Sequence, residues 1–239
     1  MMVSPLKRQR AALLAGVALS ASPSAHSASS LSLTLPLMEL DADKATLKSF
    51  NAIADKVEHK RTVLIPKYRA MADAFLTSDD TFDNPIFTHV VLWLFDVGEI
   101  NTFIEWCFVA IDKSLPSPSH IKRDWPTFCA DSIFDWAHAH AERGENIEPY
   151  FSAVFDKVKG DWRLHEKVAA KWYKLAGLQL LRDDEGKPNV TAVGDVEALK
   201  EALSLLTQAH ELYDKIGVTD LIKNRIPARI NALTDGTNL

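Results

Sequence analysis

The densest apolar run of the chain spans 89–111 and reads HVVLWLFDVGEINTFIEWCFVAI. Its apolar residues recur at helical spacing on both sides of the short segment 96–99. Gly98 in that segment can adopt the left-handed conformation that ends a helix, and Glu99 is favoured in the first turn of the next helix. The run therefore predicts a helical hairpin with aromatic side chains between its two helices.

Apolar residues recur at helical spacing through most of the 239 residues, and only 9 glycines and 11 prolines interrupt them. This pattern predicts an all-α chain. We expect a flexible N-terminal arm and linker over 1–36 and a basic helical hairpin over 37–78, broken near Ile65 by the following proline. A helical-repeat domain is expected over 85–239.

An internal likeness supports the repeat. Gly98-Glu99-Ile100 and Gly194-Asp195-Val196 each stand before an amphipathic helix, and Asp195 can cap its helix by accepting a backbone N–H. Both segments resemble the second half of a tetratricopeptide repeat. The likeness predicts stacked helical hairpins of a kind that usually bind protein.

Charge is unevenly distributed along the chain. Residues 1–76 contain ten Lys or Arg against six Asp or Glu, a net charge of +4, whereas the remainder carries −9. A basic N-terminal part is consistent with contact to a polyanion such as DNA, and an acidic C-terminal part with contact to protein. The alternative is that the uneven charge is ordinary surface variation. The candidate DNA-binding residues are Lys7, Arg8, Arg10, Lys48, Lys56, Lys60, Arg61, Lys67 and Arg69.

Residues 1–30 also look like a secretory signal, because basic residues precede the apolar run 11–21. That run is too short to span a bilayer as a helix, is dominated by alanine, and is followed by no clear A-x-A cleavage site. An exported helical-repeat module that binds protein is therefore one alternative for the whole chain.

Motifs for catalysis are scarce. The chain has no GxxxxGK[ST] phosphate loop and no GxGxxG fingerprint, which excludes nucleotide hydrolysis by these motifs. The acidic loops 79–83 and 183–185 could hold Mg²⁺ in a metal-dependent endonuclease, but they lack the supporting residues that a metal site needs. We predict no catalytic residue, metal site or cofactor in this chain, and the endonuclease remains a second alternative.

The order of several segments resembles a known family. The most specific is the block 92–100, LWLFDVGEI. The other segments are weaker alone but occur in the order expected for the family: Ser4-Pro5 with Arg8 and Arg10, Leu47-Lys48, Lys60-Arg61, Pro116 with Lys122-Arg123, Ala137-His138-Ala139-His140 with Gly144-Glu145, and Lys174-Leu175-Ala176-Gly177-Leu178. Together they resemble the small terminase subunits of temperate contractile-tailed phages, also labelled terminase endonuclease subunits.

The resemblance implies viral genome packaging. A protein of this family is expected to bind double-stranded phage DNA at the packaging site, to form a homo-oligomer, and to recruit the large terminase subunit. Mg²⁺ and ATP are then expected on the large subunit only, and the endonuclease activity on the terminase holoenzyme. The resemblance also replaces the export reading with the host cytoplasm and implies no membrane contact.

Overall fold

The computed structural model describes residues 25–236, with side chains from residue 33 onward. Within that range the chain is all-α, as predicted, and its only β-type pairing is an isolated bridge between Arg182 and Pro188. The α-helices are α1 (Ala25–Ser49), α2 (Ile53–His59), α3 (Ile65–Thr77), α4 (Pro85–Asp96), α5 (Ile100–Asp112), α6 (Trp125–Ala141), α7 (Tyr150–Lys159), α8 (Glu166–Gln179), α9 (Val196–Leu212) and α10 (Ile226–Thr234).

The chain divides into two compact units, Met1–Lys56 and Val57–Leu239. The described part of the first unit is mainly α1, which begins at Ala25. Residues 25–36, expected as part of a linker, are therefore helical. Four leucines between residues 31 and 37 give this segment a helix-forming composition that outweighs its serines. The predicted division into an arm, a basic hairpin and a repeat domain stays a prediction.

The predicted hairpin at 89–111 is confirmed as α4 and α5. Asn84 caps α4 by accepting the Phe87 N–H at 3.1 Å, and Pro85 occupies the first turn, where its missing N–H costs nothing. Gly98 has a φ of +83°, the left-handed conformation that lets the chain reverse into α5. Both helices are largely buried, so the hairpin forms part of the core.

Two prolines lie at the same kind of junction. The π-helical segments Lys60–Leu64 and Leu221–Arg225 lead directly into Ile65-Pro66 of α3 and Ile226-Pro227 of α10. A proline lacks an N–H and crowds the carbonyl four residues earlier, and a widened π turn avoids that contact. Pro66 thus changes the type of helix without ending it, whereas the break in the predicted 37–76 helix lies between Ser49 and Ile53.

Successive helices from α3 to α10 pack against one another. Asp195 caps α9 as predicted, because its side chain accepts the Glu197 N–H at 2.8 Å. Asn146 accepts the N–H of Glu148 at 2.9 Å in the turn before α7. The helical architecture is compatible with stacked hairpins, and the tetratricopeptide likeness stays a prediction.

Aromatic side chains fill the core between these helices. Trp172 of α8 is fully buried, and its ring centroid lies 5.1 Å from that of Phe151 and 6.1 Å from that of Phe155. Trp106 of α5 is stacked on Phe87 of α4 with 5.3 Å between centroids. Since these tryptophans are buried, they stabilise the fold and are not available to stack on nucleic-acid bases.

Candidate DNA-binding surface

The nine predicted DNA-binding residues occupy different environments. Lys7, Arg8 and Arg10 lie outside the described residues. Lys48 is exposed in the last turn of α1, where a cation is favoured by the helix macrodipole, and Lys56 is half-buried in α2. Both belong to the first unit, whereas Lys60, Arg61, Lys67 and Arg69 belong to the second.

Lys60 and Arg61 are held against the turn that joins α4 to α5. Lys60 Nζ donates to Asp96 Oδ2 at 2.6 Å, and the Lys60 side chain is only 16% exposed. Arg61 donates one guanidinium N–H to the Val97 carbonyl oxygen at 3.0 Å and another to Glu58 at 2.9 Å. These bonds satisfy acceptor groups at the C-terminal end of α4. The two residues therefore stabilise the same turn that carries Gly98.

Lys67 and Arg69 lie on α3. Lys67 is exposed, and its Nζ is 5.1 Å from the ring centroid of Tyr68. Arg69 Nε donates to both carboxylate oxygens of Asp73, at 3.0 and 3.2 Å, and its guanidinium lies 4.9 Å from the ring centroid of Trp106. Arg69 thus combines a partly exposed ion pair with a cation–π contact to a buried tryptophan.

Exposure and pairing divide the described candidates. Lys48, Arg61 and Lys67 are exposed to solvent, and Lys60 and Arg69 are less exposed. Lys60, Arg61 and Arg69 each have a carboxylate partner, namely Asp96, Glu58 and Asp73. A cation that must first leave a carboxylate gains less from contact with a phosphate. The contribution of each residue to DNA binding stays a prediction.

The acidic side chains of the loop 183–185 have partners of their own. Asp183 Oδ1 accepts the N–H groups of Glu185 and Lys187, at 3.1 and 2.9 Å, and Lys187 Nζ pairs with Glu185 at 2.9 Å. Over the part of the chain that the structure describes, no three His, Cys, Asp or Glu side chains are grouped so that they could hold a metal ion.

A row of lysines on α8 was not predicted. Lys167, Lys171 and Lys174 follow each other at spacings of four and three residues, which places them on one face of the helix. The spacing can be read from the sequence, but the net charge of −9 over residues 77–239 gives no sign of a local cluster of positive charge.

Comparison with known proteins decides the family. The family model described as phage small terminase subunit matches residues 37–167, which is more than half of the chain. The chain belongs to the phage small terminase subunit family. Its role is therefore that of a small terminase subunit in phage genome packaging, and the family implies phage DNA and the large subunit as its general partners.

Curated relatives of this small terminase subunit include two phage proteins. It is 33% identical to the probable terminase, endonuclease subunit of Haemophilus phage HP1 over 194 residues, which cover 81% of the chain and 69% of the relative. It is 28% identical to the terminase, endonuclease subunit of Escherichia phage P2 over 174 residues, covering 72% and 67% respectively. No solved structure matches the chain significantly.

None of the helices that the structure describes has both the length and the apolar character needed to cross a membrane.

Proposed function

We propose that this small terminase subunit binds double-stranded phage DNA at the packaging site through its basic N-terminal part and recruits the large terminase subunit. The observation that carries the proposal is the family match, which begins at residue 37 and includes most of the basic segment. The net charge of +4 over residues 1–76 gives that segment the sign that phosphate contact requires. The complex works in the host cytoplasm.

Phosphate contacts supply most of the DNA affinity in this proposal. Their donors are the nine predicted basic residues, and the exposed Lys48, Arg61 and Lys67 are the most accessible of those described. Each phosphate contact releases condensed counterions, so affinity falls steeply as salt rises. Lys60 and Arg61 contribute less than their charge alone indicates, because they also bond to Asp96 and Val97.

A homo-oligomer is the second part of the proposal. Leu35 and Met38 of α1 are each 66% exposed and lie one helical turn apart, and Ile53 at the start of α2 is 78% exposed. Large apolar side chains with this exposure favour contact with another copy of the chain. Several copies would also present several sets of basic residues to one DNA molecule and so raise the affinity by avidity.

We assign DNA cleavage to the terminase holoenzyme, with Mg²⁺ and ATP on the large subunit. The names of the HP1 and P2 relatives describe those proteins as endonuclease subunits, which makes cleavage by this chain the alternative. The acidic loop 183–185 supports our assignment, because Asp183 is engaged in backbone hydrogen bonds and Glu185 in an ion pair with Lys187.

The proposal is tested with the purified full chain and phage DNA that contains the packaging site. A gel shift is expected at low salt, and the mass of the complex is expected to correspond to several copies of the chain. With Mg²⁺ added, the DNA is expected to remain intact until the large subunit is present. Cleavage by the chain alone that is lost in an Asp183→Asn/Asp184→Asn variant would contradict the assignment to the holoenzyme.

A further inference from the structure

A groove opens on the second unit between α6, α8 and the 3₁₀ turn Asp214–Ile216. Its volume is about 280 Å³. Phe134, Leu175 and Ile216 give it an apolar floor. The volume is slightly below the ~300–1,000 Å³ of typical small-molecule pockets, a size that suits an inserted side chain.

The rim of the groove is cationic. Lys171 Nζ lies 5.8 Å from the ring centroid of Phe134, so the lysine stem covers part of the floor. Lys174 Nζ donates to the Ile216 carbonyl oxygen at 2.9 Å. This bond positions the Lys174 ammonium at the edge of the groove and uses only one of its three donors. His138, also on the rim, has its Nδ1 3.5 Å from Glu142 Oε2.

Neither of the two rim lysines is held in an ion pair. No ion pair joins Lys171 or Lys174 to a carboxylate among residues 33–236. Asp131 interacts electrostatically with Lys171 and with the neighbouring Asp135, and it is itself paired with Arg123 at 3.1 Å. Lys167 extends the positive charge one turn further along α8, with its Nζ 5.2 Å from the ring centroid of Tyr213. The groove is thus locally basic in a part of the chain with net charge −9.

We propose that this groove is the docking site for an acidic segment of the large terminase subunit. One apolar side chain of that segment enters the groove, and its carboxylates meet Lys171 and Lys174. The inference rests on the recruitment of the large subunit proposed above. Because the rim is cationic, charge complementarity requires a negatively charged segment. The apolar floor explains why a peptide fits better than DNA, whose phosphates have no apolar group to bury.

The test compares full-length chains by calorimetric titration with the purified large subunit and, in parallel, by gel shift with phage DNA. The docking variant is Lys171→Glu/Lys174→Glu. Its control is Lys187→Glu/Lys200→Glu, which makes the same change of charge at two exposed lysines on other elements of the same unit. A Lys171→Arg/Lys174→Arg variant keeps the charge, and thermal unfolding establishes that each variant is folded.

We expect the docking variant to lose at least about tenfold in affinity for the large subunit, which is about 1.4 kcal/mol. The control and the arginine variant should stay within about twofold of the wild type, and DNA affinity should be unchanged in all of them. Equal binding of the large subunit by the docking variant and its control would overturn the docking site but leave the recruitment of the large subunit standing.

Two other outcomes are also decisive. A parallel loss of DNA affinity in the docking variant would make the lysine row a DNA contact and overturn the peptide assignment. Failure of the wild-type chain to bind the large subunit would overturn both the recruitment and the docking site, so the two failures are distinguishable.

Discussion

Lys60 Nζ lies 2.6 Å from Asp96 Oδ2, and this ion pair connects the π-helical segment Lys60–Leu64 to the last residue of α4. The two residues are 36 positions apart in the chain. The neighbouring Arg61 reinforces the connection by donating to the Val97 carbonyl oxygen. A basic dipeptide that sequence analysis assigns to DNA contact is therefore also part of the packing around the α4–α5 turn.

The Lys60–Asp96 pair should contribute measurably to stability. Because the two side chains are 16% and 39% exposed, we expect a coupling free energy of about 0.5–1 kcal/mol, the upper range for partly solvated pairs. A double-mutant cycle of Lys60→Gln and Asp96→Asn in urea unfolding measures it. Strict additivity of the two substitutions would show that the pair contributes nothing to the fold.

Gly177→Ala should destabilise the chain even though alanine favours a helix by about 1 kcal/mol. A Cβ at this position would lie 2.7 Å from Leu206 Cγ and 3.2 Å from the Ala202 carbonyl oxygen, so α8 and α9 would have to separate. Overpacking of this kind typically costs about 1–3 kcal/mol.

Gly160→Ala is the matched control, because its Cβ would meet only ordinary contact, 3.6 Å from the Asp156 carbonyl oxygen. Urea unfolding of both variants compares their free energies of unfolding. A stabilised Gly177→Ala variant would mean that α8 and α9 are less closely packed than described.

The two cysteines should be unreactive in the folded chain. Burial raises the pKa of the Cys107 thiol well above its ordinary value, and its contact with Cys129 raises the pKa further. Since the thiolate is the reactive form and both thiols are buried, labelling at neutral pH should be much slower than that of a free thiol. Mass spectrometry after alkylation, with and without denaturant, measures this rate. Rapid labelling of the folded chain would contradict the prediction.

Asp131→Asn should change how the stability of the chain varies with pH. Burial raises the pKa of Asp131, against the lowering effect of Arg123. The folded state therefore holds this proton more tightly than the unfolded chain, and the wild type loses stability as pH rises from about 4 through the raised pKa. The asparagine variant lacks this loss, so its stability relative to the wild type should increase over that range.

Urea midpoints measured from about pH 3 to pH 7 test the Asp131 prediction. Arg123→Gln provides a second variant, and it should raise the pKa of Asp131 further because Arg123 lowers it. A constant stability difference between the wild type and Asp131→Asn across this range would be inconsistent with a raised pKa.

Local patterns in the sequence predicted the parts of the fold that local physics decides. Gly98 and the helical spacing around it predicted α4 and α5, and Asp195 predicted the start of α9, because caps and turns depend on a few neighbouring residues. The π-helical segments before Pro66 and Pro227 were not predictable. Packing decides whether a helix ends at a proline or widens ahead of it.

In the candidate sites, too, the sequence predicted local features but not contacts between distant residues. Composition identified the basic N-terminal part, but it gave no sign that Lys60 pairs with Asp96, because residues 36 positions apart meet only in the folded chain. The groove was also hidden, since Phe134, Lys171 and Ile216 come from three separate elements. A helical wheel of α8 predicts the row of lysines on one face of the helix. It cannot predict the apolar floor, because Phe134 and Ile216 belong to other elements.

The salt dependence of DNA binding by the full chain tests the central claim most directly. We predict that the logarithm of the affinity falls linearly with the logarithm of the salt concentration, with a slope of about −0.9 per phosphate contacted. Lys48→Gln/Lys67→Gln should flatten that slope by about one for each phosphate that is no longer neutralised, whereas Lys187→Gln/Lys200→Gln should leave it unchanged. No DNA binding at low salt, or the same slope for both variants and the wild type, would contradict the claim that the basic N-terminal part holds the DNA.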